Sequence, residues 1–332
     1  MQDPKNCELS CLPVRLFIKA NLMMKLPLLL PFVFLSLFLT ACEFDDLGPS
    51  DRYQSDFHFS YPLQAGGKLT LENFNGGIEI TGWDRNMVDI SGVKYASTEQ
   101  MRDAIKIDIS HSDNAISIRT VRPFERHGNM GARYVLKVPR KVELDRITDS
   151  NGGVRVTDVD GPARLRTSNG TIRVIKLAGN LDARTSNGTI EAENVSGGAI
   201  LNTTNGRVRA DSVQGPFEAS TSNGGIHIHL ANAAANTPMK LSTSNGPIEL
   251  TLDTPAQNDI HASTTNGSIT LHLPASARAR VHAITTNSSI SSDFDVQTQG
   301  AAGKHHLEGT IGAGGPMLDL STSNGAIRLV KM

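Results

Sequence analysis

The stretch "TSNGTIRVIKLAGNLDARTSNGTIEA", residues 167–192, says one thing twice. Thr167-Ser168-Asn169-Gly170-Thr171-Ile172 returns as Thr185-Ser186-Asn187-Gly188-Thr189-Ile190, eighteen residues on. Asn-Gly falls at 151, 169, 187, 205 and 223, then at 245, 266 and 324, with Asn287-Ser288 before the last. Glu308-Gly309-Thr310-Ile311 fits the same frame with Glu in the Asn place, giving ten units of 16 to 22 residues. A further isolated unit, "LTLENFNGGIEI", surrounds Asn75-Gly76.

Setting the asparagine as zero makes the other positions legible. Position +3 is β-branched throughout: Val154, Ile172, Ile190, Val208, Ile226, Ile248, Ile269, Ile290, Ile311 and Ile327. Position +5 is mostly apolar, and so are −6 and −4, with polar residues between them. Alternation with period two on both sides of Asn-Gly predicts two half-buried strands per unit. Asn-Gly is also the strongest hairpin signal, but like residues recur here at like offsets, as stacking requires. Large and small trade places at −6/−4 (Ala163/Leu165, Leu181/Ala183, Ala199/Leu201), which fills a narrow interior without voids. The fold expected is an all-β, single-chain parallel β-solenoid with coils about 4.8 Å apart.

The Asn-Gly pair is expected to form the corner, in the left-handed backbone that both residues tolerate. Parity then points Thr at −2 inward together with the Asn. The expected structural ladder is Asn151, Asn169, Asn187, Asn205, Asn223, Asn245, Asn266 and Asn287, with Thr167, Thr185, Thr203 and Thr221. Stacked hydroxyls and amides would satisfy one another along the column. Residues 86–146 break the period. There "VDISGV", "IKIDIS", "AISIRTV" and "YVLKVP" read as ordinary antiparallel strands, with a helical turn at "STEQMRDA". Such a cap would cover the unpaired backbone of the first coil. At the other end Ile327–Lys331 reads as a final half coil, guarded by Arg328 and Lys331 or open to end-to-end self-association.

The N-terminus reads as targeting. Residues 1–22, with Cys7 and Cys11, look like an over-long gene start. Residues 23–41 carry a basic Met23-Met24-Lys25, the apolar "LPLLLPFVFLSLFL" and small residues before Cys42, the pattern of an export signal. Leu39-Thr40-Ala41-Cys42 resembles the lipobox of bacterial lipoproteins, which implies an acylated Cys42, and Glu43 resembles the outer-membrane-sorted kind. Residues 42–60 would be the tether, 61–146 the first coil and β-strand cap, and 147–332 the solenoid. No cysteine follows Cys42, which excludes disulfides, Cys-ligated zinc and a thiol nucleophile. A net charge of −1 gives no electrostatic footprint for nucleic acid.

The recurring T-[ST]-N-G-x-[IV] units, the cap and the closing "GTIGAGGPMLDLSTSNGAIRL" together resemble the bacterial "putative adhesin" family of unknown function, over roughly residues 60–332. The resemblance implies an exported or membrane-tethered, right-handed parallel β-helix, and it brings no catalytic residues.

Function on a solenoid must lie on outward positions. Glu193, Asp211 and His229 fall on consecutive coils, a weak candidate set for a divalent metal. The competing reading is that charges alternate between rungs because like charges opposed destabilise a sheet. Asp211, Glu193 and Arg209 could serve a polysaccharide lyase or hydrolase, but no long insertions between 151 and 240 build a cleft. Ser220/Ser222, Ser242/Ser244 and Ser263/Thr265 could form a carbohydrate- or ice-binding hydroxyl face, interrupted by Arg166, Arg184 and Ile284. His305-His306 sit in an irregular insertion and read as solvated. The expectation is a non-catalytic cell-envelope lipoprotein with no cofactor. Its partners would be the membrane, through the lipid, and an envelope protein or polysaccharide.

Overall fold

A computed structural model describes residues 52–124, 128–231, 237–298 and 303–332. By its contacts the chain divides into Met1–Asp46 and Leu47–Met332, and the fold described is that of the second unit. The gene start, the signal and Cys42 lie outside the described residues. Among those described, no helix is long and apolar enough to cross a membrane.

Each repeat is a coil of two strands. Ala163–Asn169 is followed by Ile172–Leu177, Leu181–Asn187 by Ile190–Val195, and Ala199–Asn205 by Val208–Val213. Strands that end in the asparagine stack in parallel into a fourteen-stranded back sheet. Those that begin three residues later stack into a thirteen-stranded front sheet. Register is strict: Thr167 faces Thr185, Thr185 faces Thr203, and Ile172 lies between Val154 and Ile190. The inward rows of both sheets make one continuous apolar core. The size exchange at −6/−4 extends into it, since Ala163, Leu181, Ala199, Phe217 and Met239 are all buried. Each fully buried Ile, Leu or Val contributes about 1.5–3 kcal/mol.

At the corner the two polar residues do different things. The threonines are inward, as parity predicts, but their hydroxyls do not bond to one another. Each donates to a glycine carbonyl on the preceding coil: Thr167 to Gly152 at 2.9 Å, Thr185 to Gly170 at 3.1 Å, Thr203 to Gly188 at 3.0 Å. The asparagines, expected inward, are exposed. They stand past the last inward position of the strand, where the front sheet no longer faces them. Their amides bond on the outside, Nδ2 to the Oδ1 of the preceding coil at 2.7–2.9 Å, from Asn169 on Asn151 through to Asn287 on Asn324. Dipoles aligned along such a chain polarise one another.

Glycine follows the asparagine because there is no room for anything else. A Cβ on Gly170, Gly188 or Gly206 would overlap the carbonyl oxygen of the glycine one coil before. The expected left-handed backbone is not at these repeats; of the Asn-Gly glycines only Gly76, at φ 113°, has positive φ. It occurs instead at +7, where Asp158, Lys176, Asn194 and Ser212 have φ of 54–56°. That twist breaks the alternation and turns the next residue (Val159, Leu177, Val195, Val213) into the core. Later coils lack the device and bury +7 itself, as Leu230, Leu252 and Leu273.

The ends depart most from the expectation. The strand Met317–Thr322 lies between Ile260–Thr264 and Ala279–Thr285, and Ile327–Lys331 between Ile269–Leu273 and Ile290–Ser292. The last repeat is therefore inserted inside the stack, and the half coil expected at the edge is not an edge. Ile311 does not open another coil either: His306–Ile311 runs antiparallel to Ala279–Thr285 and caps it. The other end mirrors this. The coil at Asn75, strands Gly67–Glu72 and Ile78–Trp83, sits between Val142–Asn151/Val154–Val159 and a pair expected to be purely antiparallel, Ala115–Val121 and Met130–Pro139. That pair runs parallel to the Asn75 coil on one side and antiparallel to Lys106–Ser112 and Met87–Ala96 on the other. The helical turn forms as Glu99–Ala104, with the Thr98 hydroxyl accepting from Met101 N at 3.2 Å.

Candidate interaction surface

With both inward faces used by the core, the chemistry lies on the two outward faces. On the back sheet the −5 positions form one row, Arg164, Asp182, Ile200, Glu218, Lys240, His261, Asp319 and His282, which Glu308 of the antiparallel cap strand extends. Most of its charges are spent on neighbours. Arg166 is bidentate on Asp182 at 2.9 and 2.7 Å, Arg184 adds a bond at 2.9 Å, and Arg164 reaches Asp145 at 3.0 Å. The bond from Arg166 leads in holding the Asp182 carboxyl below its ordinary value. Further along, His261 Nδ1 and His282 Nδ1 sit on opposite oxygens of Asp319 at 2.8 and 3.0 Å. Burial pushes the Asp319 carboxyl up, but the two imidazoles outweigh it and keep it low.

Beside that row runs a neutral strip. Asn202, Ser220, Ser242, Ser263 and Ser321 face one another in register, with the Ser220 hydroxyl 2.5 Å from Asn202 Oδ1 and Ser263 3.4 Å from Ser242. The insertion of Met317–Thr322 lengthens the strip by Ser321 before Ile284 ends it. Arg166 and Arg184 end it at the other side, as expected.

The front sheet carries the His and acid positions. Of the three residues proposed for a metal, Asp211 and His229 meet, His229 Nδ1 lying 3.0 Å from Asp211 and Nε2 3.0 Å from Asp253. Glu193 does not join them; it is held by Arg173 at 3.3 Å. Bonds from Ser212 and then His229 lower Asp211, while the bond to Asp211, then Asp253, raises His229 against its burial. Next to this trio His227 and His272 share Glu249 at 3.1 and 3.4 Å. No group of three or more His, Cys, Asp or Glu among the described residues is arranged to hold a metal ion. An open hollow of ≈ 340 Å³ lies here, bordered by Arg207, Arg209, Asp211, His227, Glu249 and Thr251.

Among the described residues one carboxyl group is buried. Asp149 takes the place of threonine in the inward column, facing Thr167, and is 5% exposed. Burial pushes its carboxyl up to about 7, although backbone N–H groups of Asn151 and Ser150 and the Asn73 amide bond to it. Beyond Asn73 the column ends at Thr120, 2.6 Å from the buried Tyr134 hydroxyl.

Sequence reasoning missed Asp253, Glu249 and His272 as partners, and the His261–Asp319–His282 bridge altogether. The signal for the bridge was present, because all three residues share offset −5. Their adjacency follows only from the insertion of the last coil.

The family described as Toastrack DUF4097 matches residues 64–330. Among solved structures, a "putative cell adhesion protein" from Clostridium sporogenes ATCC 15579 is similar at 12% identity and TM-score 0.20. The match covers 84% of this chain and 100% of that one. A "putative adhesin" from Bacteroides fragilis NCTC 9343 is similar at 15% identity and TM-score 0.39, covering 83% and 97%. No curated protein matches.

Proposed function

The chain belongs to the Toastrack DUF4097 family, and from that premise we propose that it is a non-catalytic, lipid-anchored cell-envelope protein. Its solenoid would present an adhesin-like or scaffold surface to an envelope protein or polysaccharide. The anchor would be the thiol of Cys42, with the outer membrane as the favoured site and a tether shorter than the expected 42–60, because Tyr53–Pro62 is a strand paired along its length with Met87–Ala96. The observation that carries this reading is where the outward carboxylates end. Asp145, Asp182, Glu191, Glu193, Asp211, Glu249 and Asp319 each lie against an Arg or His of a neighbouring strand. Glycoside hydrolysis needs two carboxyl groups facing each other across a bound sugar, and Glu193 and Asp211 are instead tied to Arg173 and His229. What remains is repetitive and flat: a neutral hydroxyl strip bordered by a row of paired charges. Such a lattice suits recognition of an extended partner by many weak, repeated contacts.

The test is a pull-down from envelope extract with the full chain in detergent, followed by mass spectrometry of protein and glycan fractions. A saturable partner is expected. Release of fragments from a glycan panel would sink the non-catalytic reading.

A further inference from the structure

The hollow on the front sheet stands out because its two arginines end on no carboxylate, although Arg209 is near enough to Asp211 to help lower that carboxyl. Arg209, on the strand Val208–Val213, and Arg207, just before it at the corner, both border the hollow. Neither has an ion pair among the described residues, whereas Arg164, Arg166, Arg173 and Arg184 each end on a carboxylate. Register explains the difference. Arg209 lies between Glu191 and His227, and Glu191 is already 3.5 Å from Arg173. Asp211 takes the Ser212 hydroxyl at 2.7 Å and His229 at 3.0 Å. Glu249 takes His227 and His272. Arg207 stands at the corner, where the flanking coils offer Thr189 and Gly225, neither of them charged. Gly225 sets where the His227 ring lies. A Cβ there would stand 2.9 Å from His227 Nε2, so the imidazole lies over the glycine with its Nδ1 held by Glu249.

Building on the reading of the solenoid as a binding surface, we propose that this hollow binds an acidic sugar residue. Its carboxylate is held by Arg207 and Arg209 and its hydroxyls by Asp211, Glu249 and Thr251. Guanidinium groups match a carboxylate with paired, planar hydrogen bonds. Asp211 and Glu249 accept but cannot donate when ionised, so their remaining lone pairs call for hydroxyl donors, which a sugar ring supplies. The same two carboxylates argue against phosphate-rich ligands, whose multiple negative charges would be set a few ångströms from them. A volume of ≈ 340 Å³ falls at the low end of the ~300–1,000 Å³ usual for small-ligand sites. Because the hollow is open, one residue of a longer chain can occupy it while its neighbours pass on along the sheet.

The test is isothermal titration of the full chain in detergent with tetramers of galacturonate, mannuronate and glucuronate. Neutral galactan tetramer and polyphosphate serve as comparators. At least one uronate is expected to bind, the neutral tetramer not to, and Arg207→Ala and Arg209→Ala each to weaken binding tenfold or more. Arg209→Lys should recover only part of the loss, since it keeps the charge without the planar fork. Both arginines are exposed, so unchanged melting temperatures will show that the variants fold. Binding of no uronate, unchanged binding in both Ala variants, or tighter binding of polyphosphate overturns the assignment. The parent chain separates the two readings. If it retains a partner from envelope extract while binding no uronate, the surface reading stands and the pocket falls. Uronate binding by the parent that is lost in the double variant, with an empty pull-down, does the reverse.

Discussion

Replacing Asp149 should change how the stability of this solenoid depends on pH. Asp149 sits in a column filled by threonine in every later coil and is 5% exposed, with its carboxyl pushed up from 3.8 to about 7 chiefly by burial. Between those values the folded state holds a proton that the unfolded state has released, so stability falls as pH rises. Its contribution is fully present below about pH 4 and lost as pH passes through about 7. At 1.36 kcal/mol per unit the full span is about 4 kcal/mol. Asp149→Thr installs the residue found at every later coil, and Asp149→Asn keeps the shape without the charge. Both should remove that span, leaving the variants more stable than the parent at pH 8 and near it at pH 4.5. For a body of this size the gain at pH 8 corresponds to a melting temperature higher by about 10 °C. Urea and thermal unfolding at pH 4.5, 6 and 8 measure it. His229, whose raised pKa also makes it a loser of stability as pH rises, is present in all three proteins and cancels in the comparison. Parallel pH curves for parent and variants would show that Asp149 does not titrate in the column as argued.

Other outcomes depend on the geometry of the coil. Thr203→Val removes the bond to the Gly188 carbonyl and should cost about 1–2 kcal/mol, seen as a fall of a few degrees in melting temperature; no change would remove the threonine column from the account of stability. Lys176→Gly should stabilise by up to about 1 kcal/mol, because φ of 56° is a left-handed conformation that lysine tolerates poorly; a lower urea midpoint would contradict this. Stopping the chain at Gly315 deletes strands from inside both sheets, so loss of cooperative unfolding and solubility is expected; loss of a single coil's worth of stability would mean that the last repeat is terminal after all.

The part of the fold that was legible in sequence is the part fixed by local repetition. Ile172, Ile190 and Val208 at one offset, and Thr167, Thr185 and Thr203 at another, report a buried row without reference to anything distant. Parity failed where the chain stops being a strand. Asn169 shares the parity of Thr167 but lies at the strand's end, where no opposite wall defines an inside. Parity failed again at Lys176, whose left-handed twist reverses the count so that Leu177 is buried. Neighbour order was illegible for a deeper reason. Every coil carries the same Thr, Asn and Ile, so any coil can stack on any other, and nothing local chooses between Asn287 and Asn324 as the partner of Asn266. The choice lies in what each end leaves exposed. Stacked in chain order, the last coil would offer two bare parallel edges. Inserted, it gives the outer position to the Asn287 coil, whose following segment, His306–Ile311, folds back antiparallel over Ala279–Thr285. The first coil does the same with Ala115–Val121 and Met130–Pro139. Open parallel edges invite pairing with other chains, and placing the terminal coil one position inside lets three of the four sheet ends close on antiparallel strands, the short parallel Ile290–Ser292 at the end of the front sheet being the exception. The functional surface inherits that choice. It extends the hydroxyl strip to Ser321 and brings Asp319 between His261 and His282, side chains 58 and 37 residues away from it in the chain. The Arg207–Arg209 pair was half legible: its offsets were visible, but that neither ends on a carboxylate required knowing that Arg173 and His229 had already taken the nearest ones.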